Sequence, residues 1–286
     1  MNVSSPSISA AIAQLEAEFG LQLFVRRHAQ GLSLTPGGRR FVDEARAVLA
    51  AAGRLNDLAA EITGLVRGPL AVGCLVTFAQ MILPGLRRSF CDLFPEVEVT
   101  QFELDQAAIF EGLRAARLDV ALTYELDIPP DLSFTPLLAL RPHVILPAGH
   151  PLAGRKVLTV AELVDLPMVL LDLPFSTDYF LNIFREIGRR PKVVERTRDL
   201  GVMRAMVANG FGYSIANIRP ATTLAPDGRP LAYVPLTGPP PLALGLVCSE
   251  GAKAALTVRA FIDHARAEVT EASLPGLVIG RDDCGG

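Results

Sequence analysis

The first repeating pattern of apolar residues lies near the start of the chain. From Ile8 to Leu15 they recur every three or four positions, which predicts a helix over residues 5–20. Ser5 and Pro6 suit its first turn, because serine is a favoured N-cap and proline a favoured first helical residue. The stretch LQLFVRR then begins a short helix or strand, HAQG forms a turn, and LSL predicts a strand that returns beside the helix.

A longer helix is predicted to open at Thr35-Pro36-Gly37 and to run to about Val66. Its apolar positions alternate in steps of four and three, as in a heptad repeat; they are Phe41, Ala45, Val48, Ala52, Leu55, Ala59, Ile62 and Val66. Such a stripe needs a partner, which is either a second copy of the chain or the helix's own domain. Gly68-Pro69 separates the helix from the C-terminal part of the chain and so favours a dimerising linker.

From Pro69 onward, predicted strands alternate with predicted helices. This order implies an α/β fold with right-handed crossovers and a largely parallel sheet. Two such sets give two small Rossmann-like lobes, with the chain passing between them near Arg141 and near Pro239. Ligands bind outside the carboxyl ends of parallel strands, so the sequence predicts a ligand cleft between the lobes.

Composition narrows the class of protein. The 286 residues suffice for one or two domains and a small appendage, and the net charge of −3 excludes a uniformly basic nucleic-acid binder. The four cysteines form no CxxC pair and no metal-ligand spacing with histidine, so we expect no structural zinc, no disulfide framework and no cofactor. We find no signal peptide and no apolar run of the ~20 residues that a membrane span needs, so we expect a cytoplasmic protein without a membrane partner.

The order of these segments resembles the LysR-type transcriptional regulators. The matching residues are Ser5-Pro6-Ser7-Ile8-Ser9, Ile12, Leu15-Glu16, Gly20, Leu23-Phe24, Arg26, Leu34-Thr35 and Gly38, then Leu83-Pro84, Phe94-Pro95, His150-Pro151-Leu152 and Gly210-Phe211-Gly212. The resemblance covers residues 1 to about 270, and its N-terminal run is the specific part. The α/β part alone is also similar to type 2 periplasmic binding proteins.

This resemblance implies a domain order. The expected domains are a truncated winged helix-turn-helix at 1–38, a dimerisation linker helix at 39–67, an effector-binding domain at 68–270 and a tail at 271–286. Within the effector domain, lobe I takes about 68–141 and 240–270, and lobe II takes about 142–239. The implied partners are operator DNA, a small-molecule effector and further copies of the chain, in a homodimer or homotetramer.

Against the family pattern, we expect the residues that supply the first helices of the winged helix-turn-helix to be missing. Two explanations are open. Either the start codon is misassigned or the sequence was shortened, or the chain is a remnant regulator that binds effector without DNA.

The residues predicted to contact DNA are hydroxyls, a proline and an arginine pair: Ser4, Ser5, Pro6, Ser7, Ser9, Arg26 and Arg27. Hydroxyls at a helix N-terminus suit phosphate or base-edge contacts, and the arginines suit phosphates. The alternative is a serine-rich helix cap beside a solvated arginine pair. With four arginines against two glutamates in residues 1–40, the positive patch is modest.

The residues predicted to bind the effector follow the ends of predicted strands: Thr77, Phe78, Tyr124, Asp172, Phe175 and Asp199. A helix N-terminus near Thr77 would favour a carboxylate, and the aromatic rings favour an aromatic or apolar-bodied organic acid. The alternative is that Thr77 and Asp199 are ordinary helix caps and that the aromatic residues belong to the core.

No catalytic constellation is visible, so we expect no enzyme activity. The run Gly212-Tyr213-Ser214-Ile215-Ala216 lacks the last glycine of a nucleophile elbow and opens a predicted strand rather than a helix. The expected function is regulation of transcription by a DNA-binding protein that responds to an effector. The alternative is a small-molecule binding module that does not bind DNA and pairs with intact relatives.

Overall fold

The computed structural model describes residues 5–27, 31–42, 44–45, 48 and 65–272. It divides into two units, Met1–Thr63 and Gly64–Gly286, and each is described by itself. In the N-terminal unit, the helix α1 spans Ser5–Phe19 and the strands β1 (Phe24–Arg27) and β2 (Gly31–Leu34) pair antiparallel. The helix α2 comes next, with residues 36–42, 44, 45 and 48 helical. The stretch LQLFVRR, for which the sequence leaves helix or strand open, contains the strand β1, and the predicted hairpin is present.

The predicted long helix is described only in part. Phe41, Ala45 and Val48 lie on α2, whereas residues 49–64, with Ala52, Leu55, Ala59 and Ile62 of the predicted stripe, lie outside the described residues. Val66 is not helical and packs against the core of the C-terminal unit. The dimerising seam therefore stays a prediction, without Val66 as its last member.

The first and last parts of the C-terminal unit form lobe I. Its elements are β3 (Gly68–Leu75), α3 (Val76–Leu93), β4 (Val97–Leu104), α4 (Gln106–Arg114), β5 (Val120–Tyr124), β6 (Leu132–Leu140), β13 (Leu242–Ser249), α8 (Glu250–Lys253) and α9 (Leu256–Glu268). The sheet order is β4-β3-β5-β13-β6. Strands β3, β4 and β5 are parallel, as the alternating pattern predicts, but β13 runs antiparallel to both of its neighbours.

Lobe II lies between these two parts of the chain. Its elements are β7 (His143–Pro147), β8 (Leu158–Thr159), α5 (Val160–Leu163), β9 (Pro167–Leu171), α6 (Ser176–Arg185), β10 (Lys192–Thr197), α7 (Leu200–Ala208), β11 (Ser214–Ala216) and β12 (Leu231–Thr237). One sheet has the order β11-β7-β12-β8, and β9 and β10 form a parallel pair. A bridge between Met168 and Tyr213 links the pair to the larger sheet.

The chain passes between the lobes twice, after β6 and before β13. Lobe I has one apolar core on its five-stranded sheet, with Phe78, Phe90 and Phe261 fully buried. Lobe II has two apolar clusters, one around Phe184 and the other around Met203 of α7. The cores of the two lobes are largely separate, although Phe175 and Tyr179 of lobe II also pack on the core of lobe I. Lobes joined by two short crossings can change their relative orientation without unfolding.

Candidate functional site

In the N-terminal unit, Glu16 joins α1 to the hairpin. Its Oε1 accepts hydrogen bonds from the backbone N–H groups of Leu23 and Phe24, at 2.7 and 3.0 Å. Thr35 begins α2, because its hydroxyl accepts from the N–H of Gly38 at 2.7 Å. A Cβ on Gly38 would lie 2.1 Å from the Leu23 carbonyl oxygen, so only glycine fits there. These contacts hold the backbone of the two connections, from α1 to β1 and from β2 to α2, in one conformation.

The predicted DNA-contacting residues lie on α1 and β1. Ser4 is outside the described residues, and the others are Ser5, Pro6 and Ser7 in the first turn of α1, Ser9 exposed after them, and Arg26 and Arg27 at the end of β1. Toward the other end of α1, Leu15 and Phe19 are 39% and 56% exposed. The predicted DNA-contacting hydroxyls therefore lie at the N-terminus of α1, and the predicted arginines lie on the hairpin.

The second candidate site lies where the lobes meet. In lobe I, α3 and α4 follow β3 and β4; in lobe II, α6 and α7 follow β9 and β10. Contacts of Arg198 with Asp105 and of Phe175 with Phe110 bring the carboxyl ends of the two sets together. A cavity of about 400 Å³ lies between them; it is lined by Val76, Gln80 and Glu103 of lobe I and by Arg198, Asp199 and Gly201 of lobe II. This volume falls within the range of small-molecule sites.

Two contacts hold the lobes together beside the cavity. The Arg198 guanidinium donates to Asp105 Oδ2 at 3.1 Å, and Asp105 also caps α4 by accepting from Ala108 N–H. The ring of Phe175, just before α6, meets Phe110 of α4 edge-on, with centroids 5.4 Å apart. Phe175 has φ +64°, which is strained for a bulky residue and costs on the order of 1–3 kcal/mol. Such strain is typical of ligand-binding sites and switch regions.

Buried uncharged polar groups border the cleft. Asn217, after β11, donates to the Tyr179 hydroxyl at 3.0 Å and to the Leu140 carbonyl at 3.2 Å, beside the first crossing. Several other polar atoms at the strand and helix ends are buried without a hydrogen-bond partner: Thr77 Oγ1, Gln106 Oε1, Thr123 Oγ1, Ser176 Oγ and Asn217 Oδ1. Buried polar atoms are normally satisfied, so these can pair with a ligand or water in the cleft.

The six predicted effector residues fall into three groups. Thr77 is buried in the first turn of α3, next to Val76, which lines the cavity. Asp199 lines the cavity and caps α7 by accepting from Val202 N–H at 2.8 Å. Phe78 and Tyr124 pack edge-on at 5.2 Å inside the lobe I core.

The remaining two predicted residues belong to lobe II. Asp172 accepts from the Thr177 hydroxyl at 3.0 Å and from Arg196 at 3.2 Å. Phe175 contacts Phe110 of lobe I. Of the six predicted residues, Asp199 lines the cavity, whereas Thr77, Phe78 and Tyr124 are buried in lobe I.

The two phenols near the cleft are kept protonated. Burial raises the pKa of Tyr124 and of Tyr179, and the Tyr179 hydroxyl adds to the rise at Tyr124. A phenol that stays protonated can donate a hydrogen bond to a ligand at any physiological pH.

Sequence reasoning missed Gln106, Ser176, Tyr179 and Asn217 as candidate site residues. Ser176 and Gln106 are the first residues of helices that follow strands, and this position can be recognised from the sequence alone. Asn217 could not be found in this way, because its place beside Leu140 depends on a contact between distant parts of the chain. A buried asparagine at a crossing is recognisable only after folding.

Other kinds of site were sought in the described part of the chain. In residues 5–27, 31–42, 44–45, 48 and 65–272, no group of histidine, cysteine and acidic side chains could hold a metal ion. Among the same residues no helix is long and apolar enough to cross a membrane. Ser214 is fully buried within β11, as expected for a serine in a strand rather than in an elbow.

Two family models match the chain. Residues 1–39 match the bacterial regulatory helix-turn-helix protein model of the lysR family, and residues 63–270 match the LysR substrate binding domain. The chain therefore belongs to the LysR family of bacterial regulators, which confirms the resemblance and the two-lobed α/β fold class.

Individual relatives agree with this assignment. The transcriptional activator protein LysR of Escherichia coli is 29% identical over 99% of this chain and 88% of its own length. The regulator CysB of Haemophilus influenzae is 30% identical over 78% of this chain and 70% of its own length. The crystal structure of HinK, a LysR family transcriptional regulator from Pseudomonas aeruginosa, is similar with a TM-score of 0.69 and 32% identity, covering 94% of this chain and 90% of that one.

Proposed function

We propose that this protein is a DNA-binding transcription regulator that responds to a small-molecule effector bound between lobes I and II. The observation that carries the proposal is the cavity of about 400 Å³ between two lobes, on a chain whose first 39 residues match the family's helix-turn-helix model. The protein acts by binding rather than by catalysis, and because operator DNA lies in the bacterial cytoplasm, it works there.

On the DNA side, the proposed contacts are the hydroxyls at the start of α1 and the arginines of β1: Ser4, Ser5, Pro6, Ser7, Ser9, Arg26 and Arg27. Backbone N–H groups at a helix N-terminus and nearby hydroxyls suit contacts with phosphates or base edges. The arginines add charge at the hairpin, and their phosphate contacts make binding depend on salt.

On the effector side, Thr77, Asp199 and Phe175 are the proposed direct contacts, supported by Phe78, Tyr124 and Asp172. The N-termini of α3 and α7 border the cavity and carry partial positive charge, which suits an organic acid. The buried hydroxyls and amides of Thr77, Gln106 and Ser176 supply hydrogen bonds for its polar atoms.

The proposed mechanism is a population shift between two lobe orientations. An effector that contacts both lobes favours the orientation in which Arg198 pairs with Asp105 and Phe175 packs on Phe110. This changes the geometry that the lobes impose on the rest of a homodimer or homotetramer, and hence on the bound operator. The domain limits at 38, 67 and 270 are part of this proposal.

The test is DNA binding by fluorescence anisotropy, with the intergenic DNA beside the protein's own gene, at two salt concentrations. We expect the protein to prefer this DNA to an unrelated duplex. Replacing Arg26 and Arg27 together by Glu exchanges two positive charges of the hairpin for two negative ones. Two phosphate contacts are lost and repulsion is added, so binding weakens at low salt and the slope of log K against log salt falls by about 2 or more.

The matched control is Arg88→Glu with Arg189→Glu, the same charge change on exposed residues of the C-terminal unit. We expect this control to bind like the wild type. If neither the wild type nor the control prefers the intergenic DNA, the DNA-binding part of the proposal is wrong and the protein is an effector-binding module.

A further inference from the structure

One face of the lobe II sheet carries polar side chains inside an otherwise apolar layer. Residues paired directly across antiparallel strands project from the same face, and Ser214, Ile145 and Tyr233 are in register across β11, β7 and β12. His143 lies two residues before Ile145 and so shares this face. The helix α7, with Met203 and Arg204 buried, packs on it.

Two guanidinium groups lie on this face without an acidic partner. Arg204 is 6% exposed and donates to the Tyr233 hydroxyl at 3.0 Å, with further bonds to the carbonyls of Thr222 and Leu224 at 3.3 and 2.6 Å. The Arg219 guanidinium lies over the ring of Tyr233, 5.3 Å from its centroid. In the described part of the chain, neither arginine forms an ion pair.

Acidic side chains at the two ends of α7 have partners of their own. Asp227 accepts from Asn209 at 2.7 Å and lies 3.6 Å from Arg229. Asp199 caps α7. A buried arginine without a carboxylate is rare, because the unbalanced charge is costly to remove from water. The positive charge on this face is therefore available to an external anion.

Polar atoms on the same face lack partners. His143 is 1% exposed, its ring stacks 5.4 Å from that of Tyr233, and neither ring nitrogen makes a hydrogen bond. The Ser214 hydroxyl is also buried and unpartnered. Burial and the charge of Arg219 lower the pKa of His143 to about 3, against a smaller opposing effect of the Arg141 backbone, so the ring is neutral and holds one N–H.

We propose that this lobe II basic cluster is a binding site for a small oxyanion, such as a carboxylate, phosphate or sulfate; its residues are His143, Arg204, Ser214, Arg219 and Tyr233. Each member can donate to an anion. The Tyr233 hydroxyl accepts from Arg204 and so keeps its own proton for a ligand oxygen. Arg219 and Tyr233 are half-buried, which gives the anion access from solvent.

The cluster is separate from the effector cavity, which is lined in lobe II by residues 198–201. The helix α7 connects the two sites, since it begins at Leu200 beside the cavity and carries Arg204 one turn later. An anion in the cluster would therefore hold α7 and the loop that contains Thr222 in place. Such an anion would be a second regulatory ligand, and its binding would not require the proposed effector.

The first experiment is isothermal titration of the full chain with sodium sulfate, phosphate or acetate, each against sodium chloride at matched ionic strength. We expect saturable binding of at least one of these anions, and the comparison among them separates tetrahedral from planar oxyanions. Arg219→Gln should weaken binding about tenfold, as expected for loss of a charge-assisted hydrogen bond. Arg219 is only half-buried, so this variant keeps its fold.

Two variants locate the site. Arg198→Gln changes the arginine of the effector cavity, and Arg189→Gln changes an exposed arginine of lobe II. We expect both to bind the anion with wild-type affinity. Absence of saturable binding by all three anions overturns the proposal, and so does a loss in Arg198→Gln that equals or exceeds the loss in Arg219→Gln.

A second measurement reads His143 directly. In NMR spectra of the imidazole groups, with the His143 signal assigned by its loss in His143→Gln, the bound anion should shift that signal in the wild type. In Arg219→Gln the same shift of the His143 signal should need about tenfold more anion. An anion that binds the wild type without moving the His143 signal would place the site elsewhere and overturn the proposal.

Discussion

Lobe I and lobe II alternate strands and helices in the same way, yet they bury different chemistry. Lobe I packs one apolar core on a five-stranded sheet, and its buried polar residues are uncharged: Thr77, Gln106, Thr123, Thr135 and Thr257. Lobe II divides its strands between two sheets and buries an imidazole and a guanidinium, His143 and Arg204.

This difference assigns different roles to the lobes. A continuous apolar core is insensitive to pH and to ions, so lobe I provides a constant wall of the effector cleft. The stability of lobe II should depend on pH and on anions, because the buried His143 can gain a proton and the buried Arg204 can gain an anionic partner. Substitutions that affect one lobe and not the other test this division.

The largest expected effect is in the core of lobe I. Phe90 is fully buried and its ring meets Phe94 at 4.9 Å and Phe261 at 5.1 Å. Phe90→Ala should lower the free energy of unfolding by about 3–5 kcal/mol, since it removes apolar burial and leaves a cavity. Urea denaturation measures the loss, and Phe211→Ala, at a residue 51% exposed in lobe II, is the control. A loss of equal size in both variants would contradict the assignment of Phe90 to the core.

The next effect concerns the buried arginine of lobe II. Arg204→Met keeps most of the side-chain volume but removes the donors to Tyr233, Thr222 and Leu224. We expect the free energy of unfolding to fall by about 1–3 kcal/mol, the cost of leaving such groups unpaired. The same change at the exposed Arg189 should have little effect on urea denaturation. If Arg204→Met were as stable as the wild type, Arg204 would not hold the loop.

The third effect is on the pH dependence of stability. His143 has a folded-state pKa of about 3, below the ordinary value of about 6.5, so the unfolded chain binds a proton that the folded chain does not. Stability is therefore lost as pH falls below about 6.5, and by about pH 5 this residue accounts for roughly 2 kcal/mol.

His143→Gln should remove that part of the loss, so its unfolding free energy should fall less steeply between neutral and acidic pH than that of the wild type. Thermal denaturation at a series of pH values measures both slopes. The comparison with His150→Gln shows whether removal of any imidazole has the same result. Parallel curves for His143→Gln and the wild type would show that His143 is not buried neutral.

The smallest effect is expected at the contact between the lobes. Arg198 is largely exposed, so Arg198→Gln should change the free energy of unfolding by less than about 1 kcal/mol. It should nevertheless increase hydrogen exchange in the first turn of α7, because the pairing with Asp105 across the cleft is lost. Arg114→Gln, which breaks a pair with Asp131 within lobe I, should leave that exchange unchanged. Equal exchange in the two variants would exclude Arg198 as a contact that closes the cleft.

The predicted elements show which signals sequence reasoning can use. The amphipathic repeats of α3 and α9 and the alternation in β4 are local patterns, and they indicate the α/β class. The strands β6 and β12 were not anticipated. Pro136 lies in β6 and Pro235 in β12, and proline argues against a strand in sequence reasoning. The expectation of a largely parallel sheet was incomplete, because the returning strand β13 runs antiparallel to β5 and β6.

For the candidate site, position along the chain was informative where a residue follows a strand. Asp199 lines the cavity as the strand-end rule suggests, and Thr77 directly follows Val76, which also lines it. The rule could not separate residues that point into the cleft from those that point into the core, as Phe78 and Tyr124 do. A shift of one residue along a strand, or of a fraction of a helical turn, moves a side chain from the cleft to the core. Packing in the folded protein determines which of the two occurs.

By itself, the sequence determined the N-terminal helix and hairpin, the two-lobed α/β class and the family, because these depend on local periodicity, caps and motifs. Only the tertiary structure decided which polar groups are buried together. Thr77 and Ser176, whose buried hydroxyls lack partners, lie far apart in the chain. So do His143, Arg204 and Arg219, which form one cluster in the folded protein. Charge and burial at such places depend on what the folded chain packs against them, and no local pattern encodes that.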